Sequence, residues 1–385
     1  MSRINDLIQE LCPDGVRYVT LNDCTEYSSA RVSASELDET SFVGVDNLLP
    51  NKAGRTDAKH LPNSQRLTGF TTDDLLIGNI RPYLKKIWLA DRTGGCSGDV
   101  LAIHIQENYT KRLQPQYLYY LLSSNHFFSF DQQHAKGGKM PRGSKQQVMK
   151  YRIPIPPLKV QEEIVRILDS FTSLEAELET ELETRQIQYV YYRNLIFKRQ
   201  RPTSTVSLGE ITDIKSGESI SKKIIQSHPG KYPVINSGKK PLGFINSFNT
   251  DNNPIGITSR GANVGSITWC SGRYFRGNLN YSIEIRDSAL LSTRYLYHLL
   301  QYLQPQIRQL CSYSGIPALN KTKLEELKIP LSNMNQQQQI ASSLDQFRLM
   351  TRSSTIGLQA EIEARHKQYE YYRDRLLTFK ELDHE

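Results

Sequence analysis

The residues best suited to chemistry in this chain are cations on glycine- and asparagine-rich segments. Arg81, Lys85 and Lys86 interleave with Tyr83. Lys136, Lys139, Arg142 and Lys145 follow on a second segment that also holds Gly137, Gly138 and Gly143. Lys239, Lys240, Arg260, Arg273 and Arg276 lie among Gly and Asn much later in the chain. Arg and Lys on loops neutralise phosphates, and Arg or Asn pairs with base edges in the major groove. A single basic loop is usually only solvated surface. Its recurrence in two distant parts of the chain points to nucleic acid.

The patterns of catalysis are missing. Gly138–Lys145 (GKMPRGSK) resembles a phosphate loop superficially, but its Lys and Ser stand in the wrong places to hold phosphate and Mg²⁺. No G-x-G-x-x-G follows a strand, so no dinucleotide or adenosylmethionine pocket is expected. Asn252-Asn253-Pro254-Ile255 is the nearest approach to an amino-methyltransferase tetrapeptide, and it lacks the second Pro and the aromatic. No H-E-x-x-H or G-x-S-x-G is present, and the eight His are dispersed. Asp73-Asp74 and Glu162-Glu163 are adjacent pairs, which point apart in a strand or helix and read as solvated faces or caps. The five cysteines (Cys12, Cys24, Cys96, Cys270, Cys311) include no C-x-x-C pair, so neither a disulfide framework nor a zinc site is expected. No metal site is predicted.

Composition fits these exclusions. With 38% apolar residues, 21 Tyr and 12 Phe in 385 residues, the chain is no disordered tail. No run reaches the ~18 apolar residues of a membrane helix. The start, MSRINDLIQELCPDG, lacks the apolar core of a secretory signal, so a cytoplasmic protein is expected. The net charge of +8 is unevenly spread. Residues 201–334 hold 16 basic and 8 acidic side chains, whereas residues 161–200 hold 5 and 8. Basic bodies alternating with slightly acidic, periodic segments suit an anionic partner that touches the bodies only.

An internal duplication organises all this. Gln188-Tyr189-Val190-Tyr191-Tyr192-Arg193 recurs as Gln368-Tyr369-Glu370-Tyr371-Tyr372-Arg373. IVRILDSF from Ile164 to Phe171 matches IASSLDQF from Ile340 to Phe347. Met140-Pro141 through Ile153-Pro154 matches Ile316-Pro317 through Ile329-Pro330. Tyr117–Leu122 matches Tyr295–Leu300, and Val19-Thr20-Leu21 echoes Val206-Ser207-Leu208. Each half is therefore a body followed by a periodic tail. Between the framework matches the loops diverge: Ser41–Arg66 has no visible counterpart around Lys222–Asn246.

The tails are helices. Phe171, Leu174, Leu178, Leu182, Arg185, Tyr189, Tyr192 and Ile196 mark one face of the first. Leu358, Ile362, Arg365, Tyr369, Tyr372, Leu376 and Phe379 mark one face of the second. A rod of roughly 58 Å with one apolar stripe must bury that stripe. The nearest partner is the other tail, giving an intramolecular coiled coil; the alternative is that each tail packs on its own body. The second tail has four more residues between Phe347 and Tyr369 than the first has between Phe171 and Tyr189. Gly357 and the polar run 351–355 fall there, so a kink or break is expected. The bodies read as α+β. Short strands are expected at Asp74–Ile80, Ile87–Ala90, Asn253–Thr258 and Ile267–Trp269, and helices at Gln116–Ser123 and Thr293–Leu303.

This arrangement resembles the specificity subunit of type I restriction–modification systems. The resemblance rests on the duplicated framework before each helix (Met140-Pro141 to Leu158, Ile316-Pro317 to Leu331). It rests also on Gln161-Glu162-Glu163-Ile164 and Gln338-Gln339-Ile340 opening the helices and on the Tyr-Tyr-Arg closing them. It implies two globular target-recognition domains, 1–157 and 201–334, in a pseudo-twofold arrangement. Two long antiparallel helices, 158–200 and 335–385, separate them as an intramolecular coiled coil. Each domain would read one half of a split, asymmetric double-stranded DNA target, and the spacing suits half-sites about one turn, ~34 Å, apart. The helices would dock two methyltransferase subunits that bind adenosylmethionine. Translocase–endonuclease subunits using ATP and Mg²⁺ would join through the complex. The chain itself would hold no cofactor and catalyse nothing. The assembly would be an adenine-specific DNA methyltransferase and ATP-dependent endonuclease of phage defence. Leu174–Glu177, Leu178–Glu181 and Leu182–Arg185 form tandem tetrads, and in this family such repeats act as a ruler for the unread gap; the plain alternative is a Glu-rich solvated helix with a Leu stripe. Two rival readings remain at this level: a specificity-like adaptor of another phage-defence complex, which differs only in partner, and a DNA-modifying enzyme, which would bind adenosylmethionine alone.

Overall fold

The two copies of the Ile-Pro framework find their partners near the start of each half. Arg152–Ile155 pairs antiparallel with Arg17–Thr20, setting Ile153 opposite Val19. Lys328–Leu331 pairs antiparallel with Ser204–Ser207, setting Ile329 opposite Val206. Each ladder has only two strands, so Pro154 and Pro330 sit where a missing N–H is tolerated. In this computed structural model the described residues are 2–62, 64–238 and 240–382, without the side chains of 2, 350–357 and 359.

The chain packs as two units, Met1–Glu179 with Glu361–Glu385, and Thr180–Ala360. Each unit therefore holds one body and one end of each tail helix. In the first, Thr25–Tyr27, Val100–Ile105, Leu75–Gly78 and Ile87–Leu89 form an antiparallel sheet in that order. In the second, Thr212–Ser216, Asn280–Ile285, Ile255–Thr258 and Ile267–Trp269 repeat it strand for strand. The strand Leu75-Leu76-Ile77 is buried throughout because it feeds two cores. Leu75 and Ile77 point into the main core with Tyr117, Leu118 and Phe127, while Leu76 packs with Val43, Phe70 and Ala102. This is the period-two alternation of a strand covered on both faces.

The divergent loops share more than their residues suggest. Phe42–Val43 runs parallel to Gly94–Cys96, and Val234–Ile235 runs parallel to Phe275–Arg276. Ser41–Arg66 thus does have a counterpart, which corrects the reading from sequence. The match is one of backbone pairing, which constrains side chains little.

The expected helices form as Pro115–Leu122 and Thr293–Tyr302. The tails are single helices, Leu158–Arg199 and Met334–Leu376, each about 63 Å long. Pro156 and Pro157 precede the first, and the Asn333 side chain caps the second by accepting from the Gln336 N–H at 2.9 Å. In the first unit Phe171 stacks on Tyr372 at 5.6 Å and Glu175 meets His366 at 3.2 Å, so the helix segments there run antiparallel. In the second unit Tyr189 and Tyr192 both meet the Phe347 ring. Leu178, Leu182, Ile362, Tyr369 and Tyr372 are partly covered and Leu358 is buried, but Leu174 and Tyr192 stay 45% exposed. The second helix runs unbroken through the 351–355 run and Gly357, where a kink or break is expected, because the helical backbone bonds continue there; the side chains of 350–357 are not described. The second helix stops at Leu376 and does not reach Phe379 as the stripe predicts. The chain leaves the helix there and lies along the first strand: the Val16 N–H donates to the Lys380 carbonyl at 2.9 Å, and the Tyr18 hydroxyl donates to the Phe379 carbonyl at 3.1 Å.

Candidate nucleic-acid interface

In the first unit, two sequence-distant basic segments come together through backbone bonds. Lys136 and Arg142 exchange N–H···O bonds at 2.9 and 2.8 Å and close a hairpin around Gly137–Pro141. That hairpin docks on the turn after Leu75–Gly78: the Arg81 N–H donates to the Pro141 carbonyl at 2.7 Å, and the Gly143 N–H donates to the Asn79 carbonyl at 2.9 Å. Arg81 and Lys85 hold left-handed backbone (φ 54° and 50°) in the tight turn around Pro82–Leu84. Gly137, at φ 104°, gives the hairpin its bend.

The second unit repeats the device. The Gly261 N–H donates to the Pro317 carbonyl and the Leu319 N–H to the Ser259 carbonyl, both at 2.8 Å. Gly315 at φ 122° supplies the bend. The Asn263 side chain donates to the Ser237 carbonyl at 3.1 Å and draws the Lys240 segment towards the Arg260 turn. The duplicated X-Pro framework is thus a hairpin whose proline carbonyl locks a neighbouring loop.

The predicted cations divide by environment. Lys136, Lys139, Arg142, Lys145, Lys240, Arg260 and Arg273 are exposed. Of these, Arg142 is balanced by Asp99 and Arg273 by Asp251, each at 3.1 Å, and Arg273 also covers the Phe248 ring. Arg81 is half-buried. Lys85 donates to the Asn125 side chain at 2.8 Å, and Asn125 in turn donates to Glu370 of the second helix at 3.2 Å. Lys86 donates to the Val45 carbonyl, and burial lowers its pKa. Lys85 and Lys86 are therefore internal anchors. Arg276 is a correction to the exposed-loop expectation. It is 3% exposed and its guanidinium donates to Asn280, Tyr281 and Asn253, because the strand it ends is paired on the inner side of the loop. Lys239 lies outside the described residues.

Several polar groups of the first unit lie outside the predicted set, and Asp74, which reads from the sequence as a solvated face or cap, is buried. Asp131 is 2% exposed beneath the hairpin, facing Gly143 and Asn79, and burial raises its carboxyl to about 6. Lys52, on the divergent loop, is lowered to about 8 by burial, with Arg373 adding repulsion. Asp74 is buried and meets the His104 ring at 2.6 Å, on the wall of a cavity of about 520 Å³ that also includes Phe70 and Arg31. Among the described residues no serine or cysteine is hydrogen-bonded to that ring. No cluster of His, Cys, Asp and Glu suited to a metal occurs among the described residues. No described helix is long and apolar enough to cross a membrane.

Comparisons with known proteins agree on one group. The family model for the type I restriction modification DNA specificity domain matches residues 96–185 and 201–364. The putative type I restriction enzyme specificity subunit S.HindORF215P of Haemophilus influenzae is 30% identical over 292 residues, covering 71% of this chain and 74% of that relative. The EcoR124I/EcoR124II specificity subunit of Escherichia coli is 33% identical over 255 residues, covering 59% of this chain and 63% of its own. The crystal structure of the type I system S subunit from M. genitalium aligns with TM-score 0.56 over 94% of this chain and 96% of its own, at 17% identity. A chain from a structural study of complex assembly in the type I system aligns with TM-score 0.57 over 95% and 98%, at 21% identity. At such identities these two alignments speak for the fold alone.

Proposed function

This chain belongs to the type I restriction–modification DNA specificity family, and on that premise we propose that it reads a bipartite, asymmetric duplex target, one half-site per body. Residues 1–157 serve one half-site and residues 201–334 the other. The tail helices, Leu158–Arg199 and Met334–Leu376, hold two methyltransferase subunits, which bind adenosylmethionine. Translocase–endonuclease subunits using ATP and Mg²⁺ join through that complex. The chain supplies binding and leaves methyl transfer and cleavage to its partners.

What carries this reading is the repetition of one proline-locked hairpin, docked on an arginine-bearing turn (Arg81 or Arg260) of the same four-stranded sheet in both units. Exposed Lys136 and Lys139 are placed to neutralise phosphates, which positions a duplex without reading it. The base-reading side chains then come from the loops that differ between the bodies. A shared scaffold with unlike loops suits two unlike half-sites.

Sequencing the methylated sites of the host tests it. A gapped, asymmetric adenine-methylated motif should disappear when this gene is deleted, and the chain should co-purify with a methyltransferase subunit. Persistence of every methylated motif in the deletion strain rejects the reading. Adenosylmethionine binding by the isolated chain would overturn the division of labour.

A further inference from the structure

Met140 and Ile316 occupy the same position of the two proline-locked hairpins, and both are bared to solvent, at 53% and 72%. One exposed apolar side chain is ordinary on any protein surface. Here the same place is filled by a large, unbranched-or-branched aliphatic side chain in both units, although the surrounding loops have diverged. Each precedes a proline, which biases its backbone to an extended form and away from helix. Each proline carbonyl is in turn fixed by a backbone N–H, from Arg81 or Gly261. The tips are therefore stiffly aimed. Their flanks are small or cationic: Gly137, Gly138 and Lys139 before Met140, Arg142 after it, and Gly315 before Ile316. A side chain added at Gly138 or Gly315 would meet nothing, so space around both tips is open. Tyr313, also exposed, stands beside the second tip.

We propose that Met140 and Ile316 are wedges that enter between neighbouring base pairs, one in each half-site, and unstack the step they enter. The inference rests on the DNA-specificity reading above. An aliphatic tip beside cations, Lys139 and Arg142 on the first hairpin and Arg260 on the turn that holds the second, fits a polyanion with an apolar interior, and unstacking a step by an inserted Met or Ile bends the duplex. Each body would then read the ease with which its half-site deforms, besides base edges.

The test uses the full-length chain, alone and with methyltransferase subunits, on the duplex that wild-type protein selects from a random pool. 2-Aminopurine is placed at successive positions of each half-site. Wild-type binding should brighten one step per half-site. Met140→Ala should abolish the signal in one half-site only, and Ile316→Ala in the other, each raising Kd about tenfold. The slope of log K against log salt should not move, because no phosphate contact is lost. Met140→Leu should keep the signal. Brightening that persists in both alanine variants overturns the wedge. So does a loss confined to methyltransferase docking, which would make the tips a protein contact. If wild-type protein selects no duplex at all, the specificity reading itself falls, and the wedge with it.

Discussion

Gln161 and Gln337, fully buried at the starts of the two tail helices, make the same three hydrogen bonds in the two units. Gln161 accepts from the Gln114 N–H at 2.9 Å and donates to the Arg112 and Pro156 carbonyls, both at 2.7 Å. Gln337 accepts from the Ser292 N–H at 2.8 Å and donates to the Leu290 and Ser332 carbonyls at 2.9 and 2.8 Å. An amide carries both donor and acceptor, so one side chain satisfies the body's helix entry and its own helix approach together. Each glutamine fixes where a tail helix leaves its body.

Replacing either by leucine strands buried N–H and carbonyl groups, at about 1–3 kcal/mol each. Gln161→Leu should lower the stability of the first unit by about 3 kcal/mol, and Gln337→Leu that of the second. Hydrogen exchange resolved by peptide will show each loss confined to its own unit. Wild-type protection in both variants would contradict the clamp.

Charge removal should separate surface cations from anchors. Lys136→Gln with Lys139→Gln is expected to cut the salt slope of duplex binding by about 2, with sequence preference kept. Arg276→Gln should instead destabilise the second unit, since buried Asn280, Asn253 and Tyr281 oxygens lose their donor. An Arg276→Gln protein of normal thermal stability would refute that placement.

Acid should act oppositely on the two units. His298 is buried between Tyr189 and Asp345, with Arg294 and Arg348 near. Burial outweighs the pull of Asp345 and lowers it to about 4. The unfolded imidazole, near 6.5, takes up a proton first, so stability of the second unit is full above about pH 6.5 and is lost as pH falls towards 4. Asp131 is raised to about 6 by burial, so its contribution to the first unit is full below about pH 4 and is lost as pH rises through 6. In the first unit Tyr120 takes the place of His298 and donates to Asp169 at 2.5 Å. Denaturation between pH 4.5 and 7 should therefore show the acid loss in wild type and a flatter profile in His298→Tyr; equal profiles would exclude His298 as the cause.

Deleting the tetrad Leu178–Glu181 shortens the first helix by about 6 Å. Under the proposed function the unread gap should shrink by one or two base pairs while both half-sequences persist. Methylated-site sequencing reads both quantities, and altered half-sequences with an unaltered gap would reject the ruler.

The sequence alone determined the duplication, the two long helices, the main strands and helices of each body, and the family, because these follow from periodicity and from motifs that recur in order. Val19 and Ile153 were both visible as framework, since their apolar character repeats at Val206 and Ile329. What only tertiary structure decided is which framework residues touch and which cations face water. Arg276 and Lys136 look alike in the sequence, both basic among glycines, yet one is sealed by strand pairing and the other stands on an open hairpin. The parallel pairing of Phe42–Val43 and Val234–Ile235 was likewise unreadable, because backbone hydrogen bonds constrain geometry and leave residue identity free. Burial, and with it the shifted Asp131 and His298, depends on neighbours brought from distant segments, and no local pattern encodes them.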